Sequence, residues 1–152
     1  MLAYRISKTK YIEELSGEGA RRYGGRWNIK GTAVLYTSEH QSLAVLETLV
    51  HSSMNALPPD LKQLTLSIPD HINPITYPPD SLPDNWRSYP APRSLAELGT
   101  QWCKQQSSLV MRVPSVLAPT DNNLLINPSH PAFSKLKIER ITEFTFDDRL
   151  TQ

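Results

Sequence analysis

Apolar positions along this chain fall mostly into short alternating or continuous runs, and in two segments they recur at helical spacing. Residues 2–6 and 33–36 read as strands, the second bounded by Gly31-Thr32 before it and Thr37-Ser38 after it. Further strands are predicted over Leu64-Thr65-Leu66-Ser67-Ile68, over 109–113 and 124–126, and over the alternating Glu143-Phe144-Thr145-Phe146-Asp147. Ser38-Glu39-His40-Gln41 fits a capping box, which places a helix over 38–51 with Leu43, Leu46 and Val50 on its apolar face. Glu47 shares that face, because residues three and four apart stack on one side of a helix. A second capping box, Ser94-Leu95-Ala96-Glu97, opens a helix over 94–106 that buries Leu95, Leu98 and Trp102.

Strands outnumber helices and several connections are long, which predicts a single α+β domain over 1–152 with a mixed or antiparallel sheet. Gly17-Glu18-Gly19-Ala20 follows no apolar strand directly, so the doubly wound dinucleotide fold is not supported. Residues 58–93 hold nine of the 13 prolines but few Gly or Ser. That composition predicts ordered loops elaborating the same domain, not a tether between two.

Composition narrows the function. A formal net charge of +1, from 16 Lys and Arg against 15 Asp and Glu, supplies no field for holding nucleic acid directly. The basic residues gather locally instead, with Arg21, Arg22, Arg26 and Lys30 interleaved with Gly24, Gly25 and Gly31, a pattern suited to a small anion. One cysteine, Cys103, excludes an internal disulfide, and four scattered histidines give no metal-ligand spacing, so no metal is expected. No run approaches the ~20 apolar residues that cross a bilayer, and the first residues lack a basic-then-apolar leader. A cytoplasmic protein without membrane contact is expected.

Several residues carry candidate chemistry, each with an alternative. A carboxylate on the buried side of a helix is costly unless partnered, so Glu47 is either a functional group or half of an ion pair with a core arginine such as Arg5. Arg26, in Tyr23-Gly24-Gly25-Arg26-Trp27-Asn28, either grips phosphate oxygens where glycine lets the backbone approach a ligand, or stacks on Trp27 at a surface turn. Tyr36 ends a strand next to the helix of Glu47, and either stacks on a heteroaromatic base or is an interior tyrosine. Ser115, after Val113-Pro114, either points into a cleft or serves a turn. Asn127, before Pro128, reads as a rigid turn pinned by side-chain hydrogen bonds. A hydrolytic triad of Ser115, His130 and Glu47 lacks the Gly-x-Ser-x-Gly elbow and an oxyanion loop, and is disfavoured.

Taken in order, Gly17-Glu18-Gly19-Ala20, Gly24-Gly25-Arg26-Trp27-Asn28, Val34-Leu35-Tyr36-Thr37-Ser38, Leu46-Glu47-Thr48-Leu49-Val50-His51, Val113-Pro114-Ser115 and Leu124-Leu125-Ile126-Asn127-Pro128-Ser129-His130-Pro131 resemble the RES-domain family, named for its Arg, Glu and Ser. The resemblance covers nearly the whole chain and puts the name-giving positions on Arg26, Glu47 and Ser115. It implies a fold similar to the ADP-ribosyltransferases of the diphtheria-toxin kind. It also implies a toxin that depletes NAD+ as substrate, with no permanently bound cofactor, by hydrolysis or phosphorolysis of the nicotinamide–ribose bond. The implied catalytic set is Glu47, Arg26, Tyr36 and Ser115, and the implied NAD-binding set is Arg26, Trp27, Tyr36, Ser115 and Asn127. The implied partner is a helix-turn-helix (Xre-like) antitoxin that covers the active site in a hetero-oligomer. Two rivals stand beside this reading: a transferase that ADP-ribosylates a protein, and a non-catalytic NAD-binding module.

Overall fold

The aliphatic run of β1 (Leu2–Lys8) finds its partner in β3 (Leu61–Ser67), and the two pair antiparallel from Leu2↔Ser67 to Lys8↔Leu61. In this computed structural model, which describes residues 1–53 and 56–151, further strands extend that pair on both sides. They are β2 (Leu35–Ser38), β4 (Ile75–Thr76), β5 (Val110–Pro114), β6 (Asn122–Ile126) and β7 (Lys137–Phe144). The order across the sheet is β4-β5-β6-β2-β1-β3-β7, with β4 and β5 parallel and the other neighbours antiparallel. With helices α1 (Glu18–Tyr23), α2 (Gln41–Val50) and α3 (Arg93–Gln105), this is the α+β architecture with a mixed sheet that the sequence predicts.

Side chains alternate across a strand, so the sheet has two apolar faces. Ala3, Leu35, Leu64, Leu66, Val110, Leu124 and Ile126 lie on one, beneath Ile12, Phe133 and Leu136. On the other, Tyr36, Met111, Val113 and Leu125 pack against Trp27, Leu82, Trp86, Leu95 and Trp102. The Pro-rich stretch therefore feeds Leu82 and Trp86 into the core under α3. Gly99 fixes how closely α3 approaches: a Cβ there would collide with the carbonyl oxygen of Trp27. The hydroxyl of Thr100, one residue on, accepts from the Ile29 N–H at 2.9 Å. Together these clamp the turn at residues 25–28 onto the helix.

Several local expectations are corrected. Neither capping box forms: α2 starts at Gln41 and α3 at Arg93, with no side-chain cap on either N-cap residue. Ser38 is instead the last residue of β2, where its hydroxyl bonds a neighbouring strand. The apolar face of α2 is turned from the one predicted. Leu43 and Ala44 are buried against β1 and β2, while Leu46 and Val50 are 39% and 56% exposed. Glu47 keeps its place one turn after Leu43 on the inward side and is half-buried. The last strand is Lys137–Phe144, so residues 145–147 fall outside it, and Phe146 instead meets Phe144 edge-to-face at 5.1 Å. Helix α1 and the short β4 have no clear hydrophobic period and were not predicted. Among the described residues no helix is long and apolar enough to cross a membrane.

Candidate active site

Strand parity gathers the polar residues on the face shared with α2 and α3. Ser38 opposes Asn123 and Tyr36 opposes Leu125 across β2 and β6, and residues opposed in an antiparallel ladder point the same way. Val113 opposes Asn123 across β5 and β6, so Ser115, two residues on, emerges from the same side. Arg5 opposes Leu64 on the other face, where its guanidinium donates to the carbonyls of Ile12 and Glu14 at 3.5 and 2.8 Å. The sheet thus separates Arg5 from Glu47, and the structural ion pair weighed from the sequence does not form.

The Glu47 carboxylate is held asymmetrically. Ser115 Oγ donates to Glu47 Oε1 at 2.9 Å and Asn123 Nδ2 donates to the same oxygen at 2.7 Å. Glu47 Oε2 receives no protein hydrogen bond among the described residues, nor is it one of the buried polar atoms without a hydrogen bond, Glu39 Oε2 and Arg112 Nε, which form an ion pair with each other at 3.4 Å. It is therefore not sealed from solvent. Both donors are neutral, and among the described residues Glu47 has no ion-pair partner.

Ser115 is 1% exposed, and its hydroxyl is fully engaged within the protein. Besides donating to Glu47 it accepts from the N–H groups of Leu117 and Ala118 at 3.1 and 3.4 Å. It acts on the carboxylate and on its own turn. Asn123 was not singled out from the sequence, although it alternates with the buried Leu125 on a strand that was recognised. Its amide oxygen accepts from Ser38 Oγ at 2.8 Å.

Arg26 stands at the tip of a tight turn closed by paired backbone bonds, Gly25 N to Asn28 O at 3.0 Å and Asn28 N to Gly25 O at 3.4 Å. Gly25 is required there because a Cβ would come 2.7 Å from Tyr36 Oη and 2.9 Å from Asn28 Oδ1. The guanidinium donates to the carbonyls of Trp86 and Ser88 at 2.8 and 3.2 Å, so the Pro-rich loop orients it. Burial lowers the pKa of Arg26, while the nearby charge of Glu47, and then those of Tyr36 and Tyr89, oppose the shift. Arginine remains cationic under such shifts. Arg26 and Glu47 are thus close enough to interact through their fields, yet no ion pair joins them.

Tyr36 is fixed by its hydroxyl, which donates to Asn28 Oδ1 at 2.6 Å and accepts from the Trp27 N–H at 3.1 Å. Burial pushes its phenol well above the ordinary value, with the Trp27 bond opposing. Asn28, a second residue given no role from the sequence, is 1% exposed and donates to the carbonyls of Ala20 and Thr32 at 2.8 and 3.0 Å. It ties Tyr36, α1 and the turn of Arg26 into one unit.

Two residues of the set expected to bind NAD are buried side chains engaged within the protein. Trp27 is 3% exposed among Trp86, Leu95 and Trp102, and its ring is core. Asn127 is fully buried, donating to the Cys103 carbonyl at 3.0 Å and accepting from Ser129 N and Oγ at 3.1 and 2.8 Å. It is the pinned turn. A cavity of about 400 Å³ lies elsewhere, lined by Arg21, Thr32, Cys103, Lys104, Gln106 and Ser129.

The RES domain model matches residues 2–147. The chain belongs to the RES-domain family. It is 43% identical over 152 residues to Toxin Res of Yersinia enterocolitica serotype O:8 / biotype 1B, covering 99% of each chain. It is 36% identical over 146 residues to the Prs ADP-ribosylating toxin of Sphingobium sp. (strain YBL2), covering 95% of this chain and 91% of that one. Among solved structures, the M. tuberculosis MbcT–MbcA toxin–antitoxin complex contains a chain of the same fold, with a TM-score of 0.73 at 19% identity over 95% of this chain and 84% of that one. The resemblance read from the sequence is therefore membership in the family, and the fold is one already seen in a toxin–antitoxin complex.

Proposed function

We propose that this RES-domain protein is the toxin of a toxin–antitoxin pair and that it consumes NAD+ by breaking the nicotinamide–ribose bond. The observation that carries the reading is the anchoring of Glu47 through Oε1 alone by two neutral donors, which fixes the carboxylate while Oε2 takes no protein hydrogen bond among the described residues. A fixed carboxylate without a protein cation is the complement of a ligand that develops positive charge.

NAD+ offers such a charge. When the bond between C1′ and the nicotinamide nitrogen breaks, its electron pair leaves with the ring, which departs neutral, and an oxocarbenium-like ribose remains. The leaving group needs no proton, so one carboxylate suffices where ordinary glycosidases use two. Glu47 Oε2 holds the ribose hydroxyls and stabilises the cation. Arg26, whose guanidinium has donors beyond those engaged by Trp86 and Ser88, binds the pyrophosphate, and the ring of Tyr36 lies against the nicotinamide or its ribose. Ser115 acts through Glu47. Water or inorganic phosphate then takes C1′, and the attacking water loses its proton to solvent.

A second reading, ADP-ribose transfer to a protein, is favoured by the name of the Sphingobium relative, an ADP-ribosylating toxin. The site chemistry is common to both, and the acceptor differs. The working location is the cytoplasm, where NAD+ is available, and the partner is a helix-turn-helix antitoxin that covers the cleft. The test is to incubate the protein with labelled NAD+, with and without phosphate and with cell extract. Free ADP-ribose or its 1″-phosphate supports the first reading, a labelled protein band supports the second, and intact NAD+ in every arm overturns both.

A further inference from the structure

We propose that Asn123, locked by Ser38, is the positioning residue that fixes the orientation of the Glu47 carboxylate toward the substrate; this rests on the reading of Glu47 given above. The chain of bonds has a fixed direction. An ionised carboxylate can only accept, so the Asn123 amide must turn its nitrogen toward Glu47 Oε1, at 2.7 Å, and its oxygen toward Ser38, at 2.8 Å. The Ser38 hydroxyl, which can donate or accept, follows by donating. Ser38 is 4% exposed at the end of β2, directly opposite Asn123 in the β2–β6 ladder. Backbone pairing of the sheet thus carries through two side chains to the orientation of a carboxylate on α2. Ser115 alone leaves the carboxylate one bond about which to swing, and the second donor on the same oxygen removes that freedom.

Arg26 is the charged group on which the Glu47 carboxylate of this network acts. Asn123→Asp therefore makes a sharp probe. The substitution keeps shape and puts a second acceptor against Oε1, and two carboxylates in contact do not both ionise freely. Ser38→Ala removes the lock and adds no charge. NAD+ turnover by the parent and both full-length variants would be followed from pH 5 to 9, together with the ¹³C shifts of the carboxyl carbons at residue 47 and, in Asn123→Asp, residue 123, and a thermal melt to confirm folding. In Asn123→Asp one of the two facing carboxyl carbons, at residue 47 or residue 123, is expected to titrate above the parent carboxyl, and the acid limb of the rate profile should move with it. Ser38→Ala should lower kcat about 3- to 10-fold with KM unchanged.

Unshifted titration of both the residue-47 and the residue-123 carboxyl carbons in folded Asn123→Asp overturns the proposal whatever the activity. A shifted titration with parental kcat and pH profile overturns it as well, because contact without positioning is then all that Asn123 supplies. If the parent itself leaves NAD+ intact, the reaction assigned above falls, whereas the carboxyl titration still decides whether Asn123 orients Glu47.

Discussion

The charge of Glu47 reaches Arg26 without the two side chains closing into an ion pair. Each is held by neutral partners, the guanidinium by backbone carbonyls and the carboxylate by a hydroxyl and an amide. Those bonds hold the two charged groups in place without a direct contact between them. The first consequence concerns charge at position 47. In Glu47→Gln the amide oxygen can still accept from Ser115 and Asn123, so the melting curve should stay close to the parent. NAD+ consumption should fall by about 10²-fold or more, the order seen when a preorganised electrostatic group is removed. A folded variant that degrades NAD+ at the parental rate would show that the charge has no catalytic role.

Arg26→Lys tests the other of the two charged groups. An ammonium is a single point of charge and cannot reach two carbonyls while also presenting a planar fork to phosphate. The expected loss is ~10-fold or more in kcat/KM, carried mainly by KM, as read from initial rates over a range of NAD+ concentrations. Unchanged KM would remove the pyrophosphate from Arg26.

Ser115→Ala separates positioning from nucleophilic chemistry. The substitution strands the N–H groups of Leu117 and Ala118 and removes one of the two donors to Glu47 Oε1. Losing such bonds in a buried setting costs about 1–3 kcal/mol, so a lower melting temperature and a lower kcat should appear together. Mass spectrometry of the parent during turnover should find no ADP-ribose on Ser115. A covalent adduct there would replace the positioning role with a direct one.

The sequence revealed the sheet class and the name-giving residues because both are local signals: apolar runs mark strands, and Arg26, Glu47 and Ser115 sit in short motifs. It concealed what depends on strand register. Asn123 and Ser38 become partners only once β2 pairs with β6, and that pairing joins residues 85 positions apart in the chain. The capping-box reading of Ser38 failed for the same reason, since a hydroxyl that tertiary pairing engages at a strand end is not available to a helix. Trp27 misled in the opposite sense. The sequence offered it as a surface partner on which Arg26 stacks, but consecutive residues at the tip of the turn diverge, and the indole goes to the core beneath α3. The function of the Pro-rich loop was illegible because it acts through the carbonyls of Trp86 and Ser88, which carry no side-chain signature.

Alkaline stability supplies a test of the packing beneath the site. Burial raises the Cys103 thiol from an ordinary value near 9 to about 12, and burial likewise raises the Tyr36 phenol above its ordinary value near 10. Both groups are neutral in the folded protein, and both ionise more readily once unfolded. Between the unfolded and folded values the native state binds more protons, so stability falls as pH rises. The stabilisation is fully present below about pH 9, declines first through Cys103 and then, above about pH 10, through Tyr36 as well. Melting temperatures from pH 7 to 11 should therefore drop more steeply in the parent than in Cys103→Ala. Tyr36→Phe, which loses the bonds to Asn28 and Trp27, should begin lower at pH 7 yet lose less above pH 10. Parallel curves for the parent and Cys103→Ala would mean that the thiol titrates alike in both states and that its burial is not kept in solution.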